Sequence, residues 1–346
     1  MTSKLAHLRV PLSFSLPRAP SVKQQVCSPA ARRISEEMTA SYNPVRRRFA
    51  AAIICAASFS LLSFASSIRA QDGSSTPAGK HFDQVVIVIL ENEGTDQALA
   101  DRYISSLTRG KAAWFSRYYA ITHPSFPNYL AIVAGSTFGL DSDHRPAPLT
   151  GATIADRLEE KNLTWKSYAE NYPGGCYLGS AAGEGRLSPT AAPTGLYVRK
   201  HVPFLAFASI QNNPARCGRV VGANQFMRDA RAGTLPNYSF YTPNMFNDGH
   251  DTSLGTSSSW LQGFIRSLEG TVAMHQRTLL VITWDEGGNR DNRVLTLLLG
   301  SVVNPGKYGA TLTHYSLLRT IEDNFGLSTV GAGDKRASPF PEDVWR

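Results

Sequence analysis

Cysteine is scarce: four occur in 346 residues, and two of them, Cys27 and Cys55, lie within the first 70. So low a count excludes a disulfide-built scaffold and a zinc site closed by cysteines. Long hydrophobic runs are also missing. The apolar stretch at residues 49–65 is shorter than the ~20 residues a helical membrane span needs, which argues against a stable span. An excess of positive charge is absent where it would matter. The formal net charge is +8, but ten of the 35 Lys and Arg and only two of the 27 Asp and Glu fall in residues 1–70, leaving 25 of each sign from Gln71 onward. The balanced remainder gives no reason to expect a nucleic-acid partner. No internal repeat is visible.

The basic stretch has another explanation. Arg46-Arg47-Arg48 precede the apolar run, and Ser66-Ser67-Ile68-Arg69-Ala70 follow it, which is the order of a signal peptide cleaved near residues 67–70. An exported chain, periplasmic or extracellular, is therefore expected. Whether export is general or twin-arginine stays open, because Arg46-Arg47-Arg48-Phe49 touches the twin-arginine pattern only weakly. Residues 1–37 are rich in Pro, Ser and Arg without periodicity, and Met38 would itself begin an ordinary signal peptide. Residues 1–70 are read as a disordered extension plus signal peptide, and residues 71–346 as a single domain. Cys176 and Cys217, the pair left after leader removal, are expected to form one disulfide, with two buried thiols as the alternative.

Residues 84–90 and 278–284 are unbroken apolar runs rich in β-branched side chains, the signature of strands buried on both faces of a mostly parallel sheet. Further strands are expected at 114–120, 164–168, 237–241 and 294–299. Helices are expected from Thr95 or Asp96 towards Leu107, and at 153–161, 224–232, 257–275 and 314–324. Alternating strands and helices predict an α/β fold with a mostly parallel central sheet sandwiched by helices. Residues 170–220, rich in Gly, Pro and Ala, read as a long surface excursion; with Cys176, Tyr197, Lys200, His201 and Cys217 it is either a wall of a substrate pocket or a decorative insertion.

The stretch Ile121-Thr122-His123-Pro124-Ser125-Phe126-Pro127-Asn128-Tyr129 places a serine between two prolines and just before a short apolar helix stopped by Gly135. Proline fixes φ and restricts the residue before it, so the loop aims the Ser125 hydroxyl, and free N–H groups at a helix start favour an anion there. Two core strands each end on adjacent oxygen ligands, Glu91-Asn92 and Asp285-Glu286, while a third releases Asp248, His250 and Asp251. Ligands in open α/β sheets bind beyond the carboxyl ends of the strands. Crowded carboxylates call for a divalent cation, and oxygen-dominated ligation points to a hard or borderline metal. His123, His250 and His314 are candidate acids, bases or phosphate contacts; His81, His144, His201 and His275 are read as structural.

Taken together, these residues resemble the phosphoesterase family of secreted acid phosphatases and phospholipases C, within the alkaline-phosphatase-like superfamily. The resemblance covers roughly residues 81–327 and rests on five ordered motifs, at 90–92, 122–129, 247–251, 283–287 and 314–327. It implies Ser125 as nucleophile and metal neighbour, with Glu91, Asn92, Asp285 and Glu286 as ligands of one divalent ion (Ca, Mg, Zn or Mn). It also implies that His123, Asn128, His250, Asp251 and His314 line the phosphate pocket. The motifs are closer to the small acid phosphatases than to the large phospholipases C, whose extra C-terminal domains have no counterpart here. The expected substrate is a small phosphate ester, with a phospholipid or phosphoinositide also open, hydrolysed through a phosphoserine. A phospholipase-C-type diesterase and a non-catalytic phospholigand-binding protein remain as alternatives. A sulfatase-like reaction would want Cys/Ser-x-Pro-x-Arg, whereas Ser125 is followed by Phe-Pro-Asn.

Overall fold

A computed structural model describes residues 79–144, 147–185, 194–288 and 290–346, which fall within one compact unit, Ile68–Arg346. The N-terminal extension and signal peptide expected over residues 1–70 lie outside the described residues. Ten strands are described: β1 Gln84–Leu90, β2 Ala113–Tyr119, β3 Trp165–Ala169, β4 Ala181–Gly185, β5 Thr194–Val198, β6 Val220–Gly222, β7 Tyr238–Thr242, β8 Thr278–Trp284, β9 Thr296–Leu299 and β10 Gly306–Thr313. Eight of them form one sheet in the order β10-β2-β9-β8-β1-β7-β3-β6. Within it β9 is antiparallel to both β2 and β8, and the other pairings are parallel. This is the mixed α/β architecture expected.

The two apolar runs lie side by side at the centre. β1 and β8 are buried along their whole length, and their register runs from Gln84↔Thr278 to Leu90↔Trp284. A strand covered by helices on both faces needs no polar alternation, which is why each run is continuously apolar. On one of those faces the Leu254–Glu269 helix buries Leu261, Phe264, Ile265 and Leu268 at spacings of three and four.

The structure departs from the sequence reading in four places. The helix expected after Thr95 is two helices, Thr95–Ala100 and Arg102–Leu107, because Asp101 turns to extended backbone and its carboxylate caps the second through the amides of Tyr103 and Ile104. The helix expected over 257–275 ends at Glu269, followed by a 3-10 turn at Val272–His275. β10, an edge strand holding two glycines, was not expected at all. Residues 170–220 are not merely surface: β4 and β5 form a hairpin, β6 joins the main sheet, and Val202, Phe204, Leu205, Phe207 and Ile210 are buried in the core. Cys176 and Cys217 are disulfide-bonded across this segment. Among the described residues, no helix is long and apolar enough to cross a membrane.

Candidate functional site

Because β1, β2, β7, β8 and β10 all point the same way, their carboxyl ends meet at one edge. The pairing of Leu90 with Trp284 makes Glu91 and Asp285 leave the sheet side by side, and the Asp285 amide donates to Leu90 O at 3.0 Å. The segment after β7 returns to the same point, where the Glu91 amide donates to Asp248 O at 3.0 Å. β2 leads into the serine loop, and β10 ends at His314.

Ser125 is the first residue of the Ser125–Ala134 helix, which stops at Gly135 in the left-handed region (φ 60°). Asn128 and Asn292 hold the loop in place. The Asn128 Oδ1 accepts from the amides of Ile121 and Thr122, at 2.9 and 3.1 Å, and its Nδ2 donates to the carbonyls of Thr122 and Pro124, at 2.8 and 3.1 Å. The Asn292 Nδ2 donates to Thr122 O at 2.9 Å, and its Oδ1 accepts from the Gly287 amide at 2.7 Å, tying the serine loop to the turn after β8. The carboxamide of Asn128 is thus spent on the loop, where the sequence reading had it lining the pocket.

The Ser125 hydroxyl lies 3.1 Å from Glu91 Oε2 and 3.4 Å from Glu286 Oε1, and its single proton can be given to one at a time. Glu286 Oε2 lies 2.5 Å from His123 Nδ1, and that ring stands half in solvent. Glu91 also accepts from the Tyr129 hydroxyl. The amide of Asn92 donates to Asp285 Oδ1 at 3.1 Å. Glu286 and Asn92 line, with His123, Gly287, Gly288 and Arg290, a cleft of about 550 Å³.

His314 stands behind the site. It is fully buried, with Nε2 at 2.7 Å from the backbone oxygen of Asp285 and Nδ1 at 3.3 Å from the Tyr118 hydroxyl. The carbonyl can only accept, so Nε2 carries the proton and Nδ1 accepts from Tyr118. Burial lowers its pKa to about 4, consistent with a neutral ring. His314, expected to line the pocket, is buried with its ring bonded to the Asp285 turn. Nδ1 of His250 lies 2.6 Å from Asp251 Oδ1, and its amide donates to Asp248 Oδ1 at 2.9 Å. The Asp251 carboxylate is thus bonded to the His250 ring.

Two side chains that the sequence reading left out of the site belong to it. His201, read as structural, is buried with Nε2 3.3 Å from Glu91 Oε1 and Nδ1 3.7 Å from Asp248 Oδ2, its ring stacked on Tyr129 at 5.0 Å. Asp248, absent from the expected ligand set, is buried with its backbone oxygen bonded to the Glu91 amide. Its Gly249 neighbour adopts φ 99°, which a side chain would strain.

Burial dominates the electrostatics. It raises the pKa of Glu91 well above the usual carboxylate value, reinforced by Asp285 and Asp248. Burial, with the Asp285 charge adding to it, pushes Asp248 to about 8; burial and the Glu286 charge push Asp285 to about 7. Burial also raises Glu286, and it lowers His201 well below its ordinary value, helped by Lys200 and His250. Several polar atoms here have no hydrogen-bond partner: Asn92 Oδ1, Asp248 Oδ2, Asp285 Oδ2 and His201 Nε2. Buried oxygens are rarely left unpaired, so this set fits a hard divalent cation by donor chemistry. Among the described residues no three His, Cys, Asp or Glu side chains are grouped so as to hold a metal ion as they stand.

The sequence profile of the phosphoesterase family matches residues 102–328. The chain is 34% identical over 263 residues to the phosphate-repressible acid phosphatase of Penicillium chrysogenum, covering 74% of this chain and 62% of that one. It is 32% identical over 282 residues to the phosphatidylinositol-3-phosphatase of Mycobacterium tuberculosis, covering 80% and 87%. The chain thus spans about three-fifths of the length of the fungal relative and most of the mycobacterial one. A solved structure of an alkaline phosphatase superfamily protein from Vibrio parahaemolyticus superposes with a TM-score of 0.50 at 13% identity, over 78% of this chain and 74% of that one, a likeness of fold. With the family profile spanning most of the chain and a relative matched over most of its length, this protein belongs to the phosphoesterase family.

Proposed function

We propose that this chain is an exported, metal-dependent phosphomonoesterase of the acid-phosphatase kind that works through a phosphoserine on Ser125. One observation carries the reading: Ser125 starts a helix, is held by a braced loop, and directs its hydroxyl at Glu91 and Glu286. A binding module has no need of a nucleophile so placed, and the relatives named acid phosphatase support hydrolysis. The leader pattern at residues 46–70 supports export.

Glu91, Asn92, Ser125, Asp285 and Glu286 are the residues that would hold a divalent ion, which when bound would lower the Ser125 pKa and offset charge on the phosphoryl oxygens. The remaining steps belong to the chain itself. Ser125 Oγ attacks phosphorus in line, and the bond from phosphorus to the ester oxygen breaks. The Ser125 proton passes to Glu286, and His123, bonded to that carboxylate at the cleft mouth, gives a proton to the departing alkoxide. Water then attacks the phosphoserine, phosphate leaves, and the proton lost by water returns along the same route to Ser125 Oγ. His201 and the His250–Asp251 pair flank the anionic pocket and orient its carboxylates.

The cleft, about 550 Å³, is lined by polar and charged side chains, which favours a small phosphate ester. The relative named phosphatidylinositol-3-phosphatase puts a phosphoinositide among the substrates to be tried. The test is Ser125→Ala in the mature chain, assayed on 4-nitrophenyl phosphate with acid quench and mass spectrometry for phosphoserine in the wild type. Turnover should fall by several orders of magnitude, as losses of covalent nucleophiles do. Near-wild-type turnover of the variant would remove Ser125 as nucleophile, and faster cleavage of phosphatidylcholine than of 4-nitrophenyl phosphate by the wild type would replace the monoesterase by a diesterase.

A further inference from the structure

The carboxylate cluster poses a problem for its own substrate. A phosphate monoester brings up to two negative charges to Glu91, Asp248, Asp285 and Glu286, so a single divalent ion leaves much repulsion in place. Two counter-charges lie nearby: Arg290 lines the cleft from an exposed position, and Lys200 is the buried one. It lies in the turn Arg199–His201, directly before the buried His201, and its side chain is four-fifths buried. Its ammonium is held by Asp143 Oδ2 at 2.6 Å, while Asp143 Oδ1 accepts from the amide of Phe126, the residue after Ser125, at 3.0 Å. One carboxylate therefore fixes the lysine relative to the nucleophile.

An ammonium carries three N–H donors, and this one spends one of them on Asp143. Its chain neighbour His201 lies 3.3 Å from Glu91 and 3.7 Å from Asp248, so the Lys200 segment borders the carboxylate cluster, and the Lys200 charge offsets burial at Glu91, Asp248 and Glu286. Burial alone would lower the pKa of Lys200, but Asp143 and the carboxylates Glu91 and Asp285 outweigh it and raise the value, so the ammonium stays charged.

We propose that Lys200 is a substrate-binding residue whose free N–H donors grip a non-bridging oxygen of the phosphoryl group presented to Ser125, with Asp143 holding it in position. The proposal rests on the phosphoesterase reading above. It differs from a purely structural ion pair, in which Lys200 and Asp143 would matter equally and only for stability.

The experiment uses the mature chain and inorganic phosphate, as product inhibitor of 4-nitrophenyl phosphate hydrolysis and as a calorimetric ligand of the Ser125→Ala chain. Lys200→Met should weaken phosphate at least about tenfold by either readout, as expected for losing a charge-assisted hydrogen bond. KM should rise alongside. Asp143→Asn, which loosens the anchor but leaves the ammonium, should weaken phosphate by a smaller factor than Lys200→Met does. Lys200→Arg keeps charge and pair, and a phosphate affinity nearer wild type than that of Lys200→Met separates lost contact from a folding defect. Equal losses in Lys200→Met and Asp143→Asn, or unchanged phosphate affinity in a folded Lys200→Met, would overturn the proposal. Because calorimetry needs no turnover, an inactive wild type would sink the enzyme reading while phosphate binding still judged Lys200.

Discussion

His123 Nδ1 sits 2.5 Å from Glu286 Oε2, so a ring standing half in solvent is joined to a carboxylate whose other oxygen faces the Ser125 hydroxyl. In the proposed mechanism that geometry makes His123 the exit of a proton route. A general acid matters most when the leaving group is a poor one, since a stabilised phenolate departs without help. His123→Ala should therefore cut kcat on an alkyl phosphate by about 10²–10⁴ and on 4-nitrophenyl phosphate far less. Equal losses on the two substrates would show that His123 positions Glu286 without delivering the proton.

The metal reading is tested at Asp285, whose Oδ2 is buried without a partner. Asp285→Asn should lower bound metal, measured by elemental analysis, and lower activity by more than the ~10–100-fold typical of a change one shell further out. Glu93→Gln, a step beyond the proposed ligands, should do little. In the metal-free chain the sign reverses for stability. The folded pKa of Asp285, about 7, lies above its unfolded value of ~3.9, so ionisation costs the metal-free fold stability as pH rises across that window. Asp285→Asn should make the melting temperature of the metal-free chain less sensitive to pH between those values, and full metal loading in the variant would end the assignment.

The central strands were legible because a strand covered on both faces announces itself by an unbroken apolar run, and each such run ended on a pair of oxygen ligands. β10 was not, since its glycines and alternating burial at the sheet edge carry no such run. Residues 202–210 hid for another reason. Their apolar side chains are buried from one 3-10 turn, one four-residue helix and the residues flanking them, too short for a 3.6-residue period to show. The site shows the same division. Chain-local features such as the stiff serine turn could be read directly, but His201 enters only because its ring stacks on Tyr129 from a distant segment. His314 starts its helix as expected, yet its ring faces inward to the Asp285 carbonyl, an orientation set by tertiary packing.

Away from the site, Glu322 is fully buried beside Asp334, which caps the turn at Val330 and Gly331 under the C-terminal end of the Ser125 helix. Burial, with the Asp334 carboxylate as neighbour and hydrogen-bond partner, raises the Glu322 pKa to about 9. In the unfolded chain it ionises near ~4.3, so between these values the folded state holds the extra proton. Stability should consequently fall as pH rises from ~4.3 towards 9. Glu322→Gln keeps a neutral donor and acceptor at the same place and should flatten the melting temperature across that range. A variant with the same slope as wild type would move the effect elsewhere.

The disulfide gives the final test, because it separates stability from the site. Cys176 and Cys217 close a loop with a sequence separation of 41, and the β4–β5 hairpin, Lys200 and His201 lie inside it. Chain entropy assigns such a loop up to about 4 kcal/mol, and about 2–4 kcal/mol is the typical measured cost of losing a bridge. The part of the loop that reaches the site has its own anchors: Val202, Phe204, Leu205 and Phe207 are buried, and His201 is stacked on Tyr129. Replacing both cysteines by serine should thus lower stability by about 2–4 kcal/mol in denaturant unfolding while leaving kcat on 4-nitrophenyl phosphate within about threefold of wild type at 25 °C. If kcat collapses while unfolding is unchanged, the bridge holds Lys200 and His201 in place and the core packing does not.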